Sequence, residues 1–167
     1  MNQALRSAQR EAPISGFALI ELAVVVTIIG ILAALALPYF KRATQNTLIS
    51  RLENDLRIYE QTFETYELEF GTMPPSQPTA GLFPIGLEDR LSHKWKYDSP
   101  IGGVYRWIYD ENSLDDYAYI EILNSADKPI TIALSRLIEI DNDLDDGDTT
   151  TGKIRFQGLN IQYYVRR

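Results

Sequence analysis

GFALIELAVVVTIIGILAALALPYF, residues 16–40, is the stretch that decides the fold of this chain. From Phe17 to Phe40 the stretch is apolar, and its only charged residue is Glu21. As a helix rising about 1.5 Å per residue, this run reaches about 36 Å, more than the roughly 30 Å of a bilayer's hydrocarbon. A charge inside hydrocarbon costs about 2.5–3.5 kcal/mol on insertion scales. We therefore expect Glu21 to have a partner outside its own helix.

The apolar run has three interpretations: a secretory signal peptide, an ordinary single-span anchor, or a helix that stays in the membrane only for a time. A signal peptide should have a shorter apolar region followed by a cleavage site of small residues. The alanines within residues 33–36 resemble such a site. The helical pattern nevertheless continues past Phe40, and cleavage there would sever it.

Basic residues flank the apolar run on both sides. Arg6 and Arg10 before it favour a cytoplasmic N-terminus, whereas Lys41 and Arg42 after it weaken the charge bias. We predict a single pass through the membrane with the N-terminus in the cytoplasm.

Gly30 and Pro38 lie inside the apolar run. Because Pro38 has no amide hydrogen and its ring crowds the preceding turn, we predict a kink between Gly30 and Pro38. An ordinary single-span anchor does not need such a kink, although membrane helices tolerate one.

Together these features resemble the N-terminus of the type IV pilin-like family: prepilins with a class III leader and, closest in character, type II secretion pseudopilins. The family pattern is a short basic leader ending in Gly, an apolar first mature residue, a Glu four residues later, and an apolar helix containing Gly and Pro. Gly16, Phe17, Glu21, Gly30 and Pro38 fall in register with it. The absence of cysteine favours the pseudopilin side, since many type IV major pilins close a C-terminal loop with a disulfide.

The resemblance implies that residues 1–16 are a leader, which a membrane-embedded prepilin peptidase removes by cutting between Gly16 and Phe17. The new amine of Phe17 would then be methylated. Glu21 would meet the cationic N-terminus of a neighbouring subunit, because a desolvated carboxylate and a desolvated ammonium attract strongly at low dielectric while either alone is penalised.

The implied function is a structural subunit of a type IV pilus-like or type II secretion pseudopilus filament. An inner-membrane platform and its cytoplasmic ATPase would drive assembly, moving the subunit from the bacterial inner membrane into a periplasmic or extracellular filament. Two alternatives stay open: a membrane-anchored, calcium-binding module that never polymerises, and a minor pilin that primes assembly or binds DNA. The net charge of −7 makes nucleic acid a poor partner.

Residues 41–71 continue the apolar run (17–40) as the amphipathic half of the same helix. Apolar residues recur at steps of three and four, which is one helical stripe and predicts a core face, while charged residues occupy the other faces. Gly71 and Pro74 should end the helix. The stripe comprises Leu48, Leu52, Leu56, Tyr59, Phe63, Tyr66 and Phe70, and the charged set includes Arg51, Glu53, Asp55, Arg57, Glu60 and Glu64.

Residues 72–167 predict a globular α+β domain in which the long, kinked helix packs on a small antiparallel sheet. Segments rich in aromatic and β-branched residues predict two hairpins, and periodic apolar segments predict two short helices. The hairpins are Val104–Tyr109 with Tyr117–Leu123, and Lys153–Gln157 with Leu159–Val165. The helices are Leu87–Leu91 and a segment containing Ile130, Leu134, Leu137, Ile138 and Leu144, which Gly147 should end.

The sequence carries no catalytic motif. His93, the only histidine, lies between Ser92 and Lys94 in a polar loop, which indicates a solvated side chain. There is no Gly-rich phosphate loop and no His/Cys metal pattern. We therefore predict that the protein is not an enzyme.

An acidic segment surrounds Gly147. Dense carboxylates on a turn suit calcium, which takes about six to eight oxygens, although the spacing is not that of an EF-hand, since Gly147 is one place late and Gly152 replaces the closing Glu. Major pseudopilins bind calcium in a C-terminal loop, so the resemblance favours this ion. The alternative is an acidic helix end whose Asp side chains bond local amides. The candidate ligands are Asp141, Asp143, Asp145, Asp146 and Asp148.

Overall fold

A computed structural model describes residues 16–111 and 117–166. The elements in chain order are α1 (Gly16–Phe70), a 3₁₀ helix (His93–Lys96), β1 (Val104–Asp110), β2 (Tyr117–Leu123), α2 (Leu134–Leu144), β3 (Ile154–Gln157) and β4 (Asn160–Arg166). The predicted leader lies outside the described residues except for Gly16, and so does most of the connection between β1 and β2. The chain divides into two compact units, Met1–Ala43 and Thr44–Arg167.

The four strands form one antiparallel sheet in the order β1-β2-β4-β3. Both predicted hairpins are confirmed, and the turn between β3 and β4 contains Gly158 at a positive φ of 65°. The hairpins join through β2 and β4, where Ile120 lies opposite Tyr163. With the second half of α1 packed on this sheet, the predicted α+β class is confirmed.

The apolar stripe of α1 forms the helical side of the core. Its fully buried members are Leu52, Leu56, Tyr59 and Phe63. The Phe63 ring stacks on Trp107 of β1 with 3.7 Å between centroids, and Trp107 Nε1 donates to the Pro74 carbonyl at 2.9 Å. Gly71, with a φ of 76°, follows the last helical residue, so the predicted end of the helix is confirmed.

Two predictions about the faces of α1 are wrong. Phe70 is 58% exposed, because the last turn extends beyond the core, where the ring contacts Tyr66 and the Arg90 guanidinium. Asp55, predicted to lie on a charged outer face, is 6% exposed. Position 55 lies within the apolar face, which is at least about 100° wide, and its carboxylate is neutralised by Lys94, whose Nζ lies 3.3 Å from Oδ1.

The prediction of a helix at Leu87–Leu91 is also wrong. That segment is a single turn, in which the Leu91 amide donates to the Leu87 carbonyl at 3.0 Å. The short helix follows at His93–Lys96, where the Ser92 hydroxyl accepts from the Lys94 amide at 3.4 Å and Trp95 is fully buried. His93 itself is exposed, as predicted.

Helix α2 is shorter than predicted at both ends. Ile130 precedes it, because this segment is held against the loop before β1 by a 2.8 Å hydrogen bond from the Thr131 amide to the Ile101 carbonyl. The helix ends at Leu144, three residues before Gly147, whose φ is 81°.

Both edges of the sheet are covered by backbone from the same chain. On the β1 edge, the Gln77 amide donates to the Trp107 carbonyl at 3.0 Å. On the β3 edge, the Phe156 amide donates to the Thr149 carbonyl at 2.8 Å. A strand from another molecule would have to displace these segments before it could pair with the sheet.

Candidate functional site

The first half of α1 exposes its apolar side chains. Every residue from Ala18 to Phe40 is exposed. The most apolar 18-residue stretch of the helix has a mean hydropathy of 2.7, and none of that stretch is buried. By length and composition, this helix can cross a membrane. Its Thr27 hydroxyl donates to the Ala23 carbonyl at 2.7 Å, so that polar group is satisfied within the helix itself.

The predicted processing and assembly residues all lie on this half of α1. Gly16 and Phe17 are its first two residues, although the Phe17 side chain lies outside the described residues. Glu21, one turn later, is exposed, and no ion pair joins it to another residue in the described ranges. The helix continues unbroken through Gly30 and Pro38, and the kink between them stays a prediction.

Three of the five candidate calcium ligands lie together near the end of α2. Oxygens of Asp141, Asp145 and Asp146 lie within 4.8 Å of one another. Asp143 and Asp148 do not join this acidic cluster. Asp143 is exposed. Burial, and to a smaller extent the charge of Asp143, raises the pKa of Glu53 on α1.

Asp141 is the unusual member of the acidic cluster. Its side chain is fully buried, and neither carboxylate oxygen has a hydrogen-bond partner among the residues that the structure describes. Burial and the carboxylates of Asp146 and Asp145 raise the pKa of Asp141 to about 6. A buried carboxylate without a partner is costly, so a cation at this position would remove the penalty.

Asp145 connects the acidic cluster to the start of β3. Its Oδ2 accepts from the Lys153 amide and from the Ile154 amide, the latter at 3.2 Å. Gly152, with a φ of 71°, lies against this carboxylate, and a Cβ there would overlap Asp145 Oδ2 and lie 2.9 Å from Asp146 Oδ2. Gly152 thus allows the backbone to approach the carboxylates closely, a role that sequence reasoning missed.

The alternative interpretation, that Asp side chains bond local groups, is confirmed for part of the segment. Asp148 Oδ1 accepts from the Thr150 amide at 3.0 Å and from its hydroxyl at 2.7 Å, and these bonds lower the pKa of Asp148. Asp146 Oδ1 accepts from the Asp148 amide at 2.9 Å. Asp141 makes no such bond within the described part of the chain.

A long N-terminal helix, whose second half packs on a four-stranded antiparallel sheet, defines a pilin-like α+β arrangement. The chain is 43% identical over 54 residues to two curated proteins, each called "Fimbrial protein", from Pseudomonas aeruginosa. The match covers 32% of this chain and 35% of each relative, about a third of the relatives' length. Neither a protein-family model nor a solved structure matches the chain. The likeness supports a pilin-like family.

Proposed function

We propose that this chain is a structural subunit of a filament, of the type IV pilus or type II secretion pseudopilus kind, assembled through its N-terminal helix. The observation that carries the proposal is the first half of α1, which is apolar and exposed all round and carries one carboxylate, Glu21. A helix that is hydrophobic all round is buried in a membrane or inside an assembly. The likeness to fimbrial proteins supports both self-assembly and a role without catalysis.

Glu21 sets the register between adjacent subunits in this proposal. Its carboxylate pairs with the amine of Phe17 in a neighbouring copy, which offsets two parallel helices by four residues, about 6 Å along the axis. Small residues such as Ala23 and Ala33 let neighbouring helices approach closely. The segment from Gly30 to Pro38 is the compliant joint of the helix.

Before assembly, the subunit resides in the bacterial inner membrane with its N-terminus in the cytoplasm. Prepilin peptidase removes residues 1–16 and the amine of Phe17 is methylated, which produces the cation that Glu21 requires. An assembly platform and its ATPase then move the subunit into the filament. A non-polymerising anchored module and a minor pilin that primes assembly are the competing functions.

The mature N-terminus tests this processing. In a host with prepilin peptidase, we expect intact-mass and N-terminal mass spectrometry to find a chain beginning at methylated Phe17. A host lacking the peptidase serves as the control and should retain Met1. A chain that keeps Met1 in the competent host indicates an ordinary anchor, and one that begins after Ala36 indicates a signal peptide.

A second proposal is that the acidic cluster of Asp141, Asp145 and Asp146 binds calcium. Two ligands at about 2.4 Å from one ion are at most about 4.8 Å apart, and the three carboxylates satisfy this limit. Both Asp141 oxygens are buried without hydrogen-bond partners among the described residues, and a bound cation would satisfy them. Because Asp145 also holds the start of β3, the ion would link α2 to the sheet.

Thermal unfolding of the full chain in detergent tests the calcium proposal. Calcium at 100 times its Kd should stabilise the protein by about 2.7 kcal/mol and raise Tm. Asp141→Asn should remove this response, and without calcium it should stabilise the protein, because it removes a buried unpaired charge.

Asp143→Asn is the matched control, since Asp143 lies on the same helix but outside the acidic cluster. It removes the same charge and should keep the full response to calcium. An equal calcium response in wild type, Asp141→Asn and Asp143→Asn would exclude this site.

A further inference from the structure

Basic residues gather on α1 immediately after its apolar run. Residues 41–51 contain Lys41, Arg42 and Arg51 and no acidic residue. In residues 52–70 the only cation is Arg57, while the acidic residues are Glu53, Asp55, Glu60, Glu64, Glu67 and Glu69. If the C-terminal side of the run is outside the cytoplasm, the positive-inside rule does not account for the basic segment.

A groove of about 470 Å³, lined by polar and charged residues, lies on this basic part of α1. Ser50, Arg51 and Asn54 of α1 line it, and Lys94 of the 3₁₀ helix lies across from them. The Lys94 ammonium is held by the buried carboxylate of Asp55 at 3.3 Å, yet the Lys94 side chain is 70% exposed. The ammonium is therefore fixed in position and accessible from outside.

We propose that this groove binds the phosphodiester of an anionic phospholipid headgroup while the subunit waits in the membrane. The proposal rests on the membrane residence proposed above. The Arg51 guanidinium offers paired donors that match phosphate oxygens, and Lys94 adds a compact positive charge. Arg51, the groove cation on α1, follows Phe40 by eleven positions, about 16 Å along a helix. Helical side chains lean towards the N-terminus, and a long arginine side chain extends back towards the headgroup layer.

The charge of the groove favours one phosphodiester. Arg51 and Lys94 contribute two positive charges and Asp55 one negative charge, which leaves a net charge of +1. The competing occupant is the acidic surface of a second copy. The phospholipid fits better, because the groove continues a basic segment that begins at Lys41, directly where the apolar run ends.

Native mass spectrometry of the full chain tests the proposal, using protein released from nanodiscs of equal parts phosphatidylglycerol and phosphatidylcholine. We expect the wild-type chain to retain phosphatidylglycerol preferentially. Arg51→Gln should lower this preference about fivefold, the effect of one cation near an anionic surface, and should leave the Asp55–Lys94 pair intact. Adding Lys94→Gln should lower the preference about fivefold again.

Arg57→Gln and Lys96→Gln are the matched controls. Both residues are exposed, lie on the same two elements as Arg51 and Lys94, and do not line the groove; Lys96 Nζ lies 4.5 Å from the centre of the Phe83 ring. We expect the phosphatidylglycerol preference of both controls to equal that of the wild-type chain.

Four results would overturn the lipid site. Groove and control variants with equal lipid preference would do so, and so would a chain that inserts without preferring phosphatidylglycerol. Both leave the proposed filament function standing. If Arg51→Gln weakens association between two copies of the chain and leaves lipid retention unchanged, the groove binds a second copy instead of a phospholipid. A chain that fails to insert at all would overturn the proposed function as well.

Discussion

Glu21→Ala should abolish filament formation while the subunit still inserts into the membrane. Removing the carboxylate lowers the cost of insertion by up to about 2.5–3.5 kcal/mol, so the membrane-resident pool should persist or grow. In the proposed filament the same change leaves the amine of Phe17 in a neighbouring copy buried without its partner. Breaking such a pair costs about 3–5 kcal/mol at each contact, at least a hundredfold in each subunit's association constant.

Electron microscopy of sheared filaments and carbonate extraction of membranes measure these two outcomes separately. Thr27→Ala is the matched control, because it removes a polar group from the same helix whose hydrogen bond stays within that helix. The control should assemble and insert normally. Filaments of normal number and length from Glu21→Ala would show that this carboxylate does not set the register.

Phe63→Ala should destabilise the globular unit by about 3–5 kcal/mol, enough to unfold a marginal domain. Phe63 is fully buried, and its removal leaves a cavity against Trp107, whose ring it stacks on at 3.7 Å. Urea unfolding of the full chain in detergent, followed by tryptophan fluorescence, measures the change, since Trp95 and Trp107 are both buried beside Phe63.

Phe70→Ala is the control for this second prediction. Both phenylalanines belong to the stripe predicted as core, but Phe70 is 58% exposed, so its truncation should change the free energy of unfolding by less than about 0.5 kcal/mol. Equal losses in the two variants would mean that the end of α1 packs as deeply as its middle.

Local pattern was sufficient to predict α1 and both hairpins, because helical periodicity and strand alternation are properties of neighbouring residues. It did not predict that β2 pairs with β4, since that contact joins residues as distant as Ile120 and Tyr163. It also misplaced Asp55. A charge on the apolar face is recognised only when its partner is known, and Lys94 is supplied by a separate loop.

Three of the five candidate calcium ligands lie together, in part for a geometrical reason. Asp141 and Asp145 are four residues apart and lie on one side of the helix end, whereas Asp143, two residues from each, points elsewhere. That spacing was available in the sequence and separates Asp143 from the pair, but it does not separate Asp148, which follows Asp141 by seven residues. The burial of Asp141 was not available, because it depends on packing by other elements.

The hydrogen-bonded edges of the β-sheet have a consequence for the proposed filament subunit. If the subunit resides in a membrane as proposed, exposed sheet edges would allow neighbouring molecules to aggregate by strand pairing between their globular units. The backbone segments at Gln77 and Thr149 hydrogen-bond to those edges, so they would have to be displaced before another strand could pair there. In the proposed filament, association would then depend on the apolar first half of α1 rather than on strand pairing.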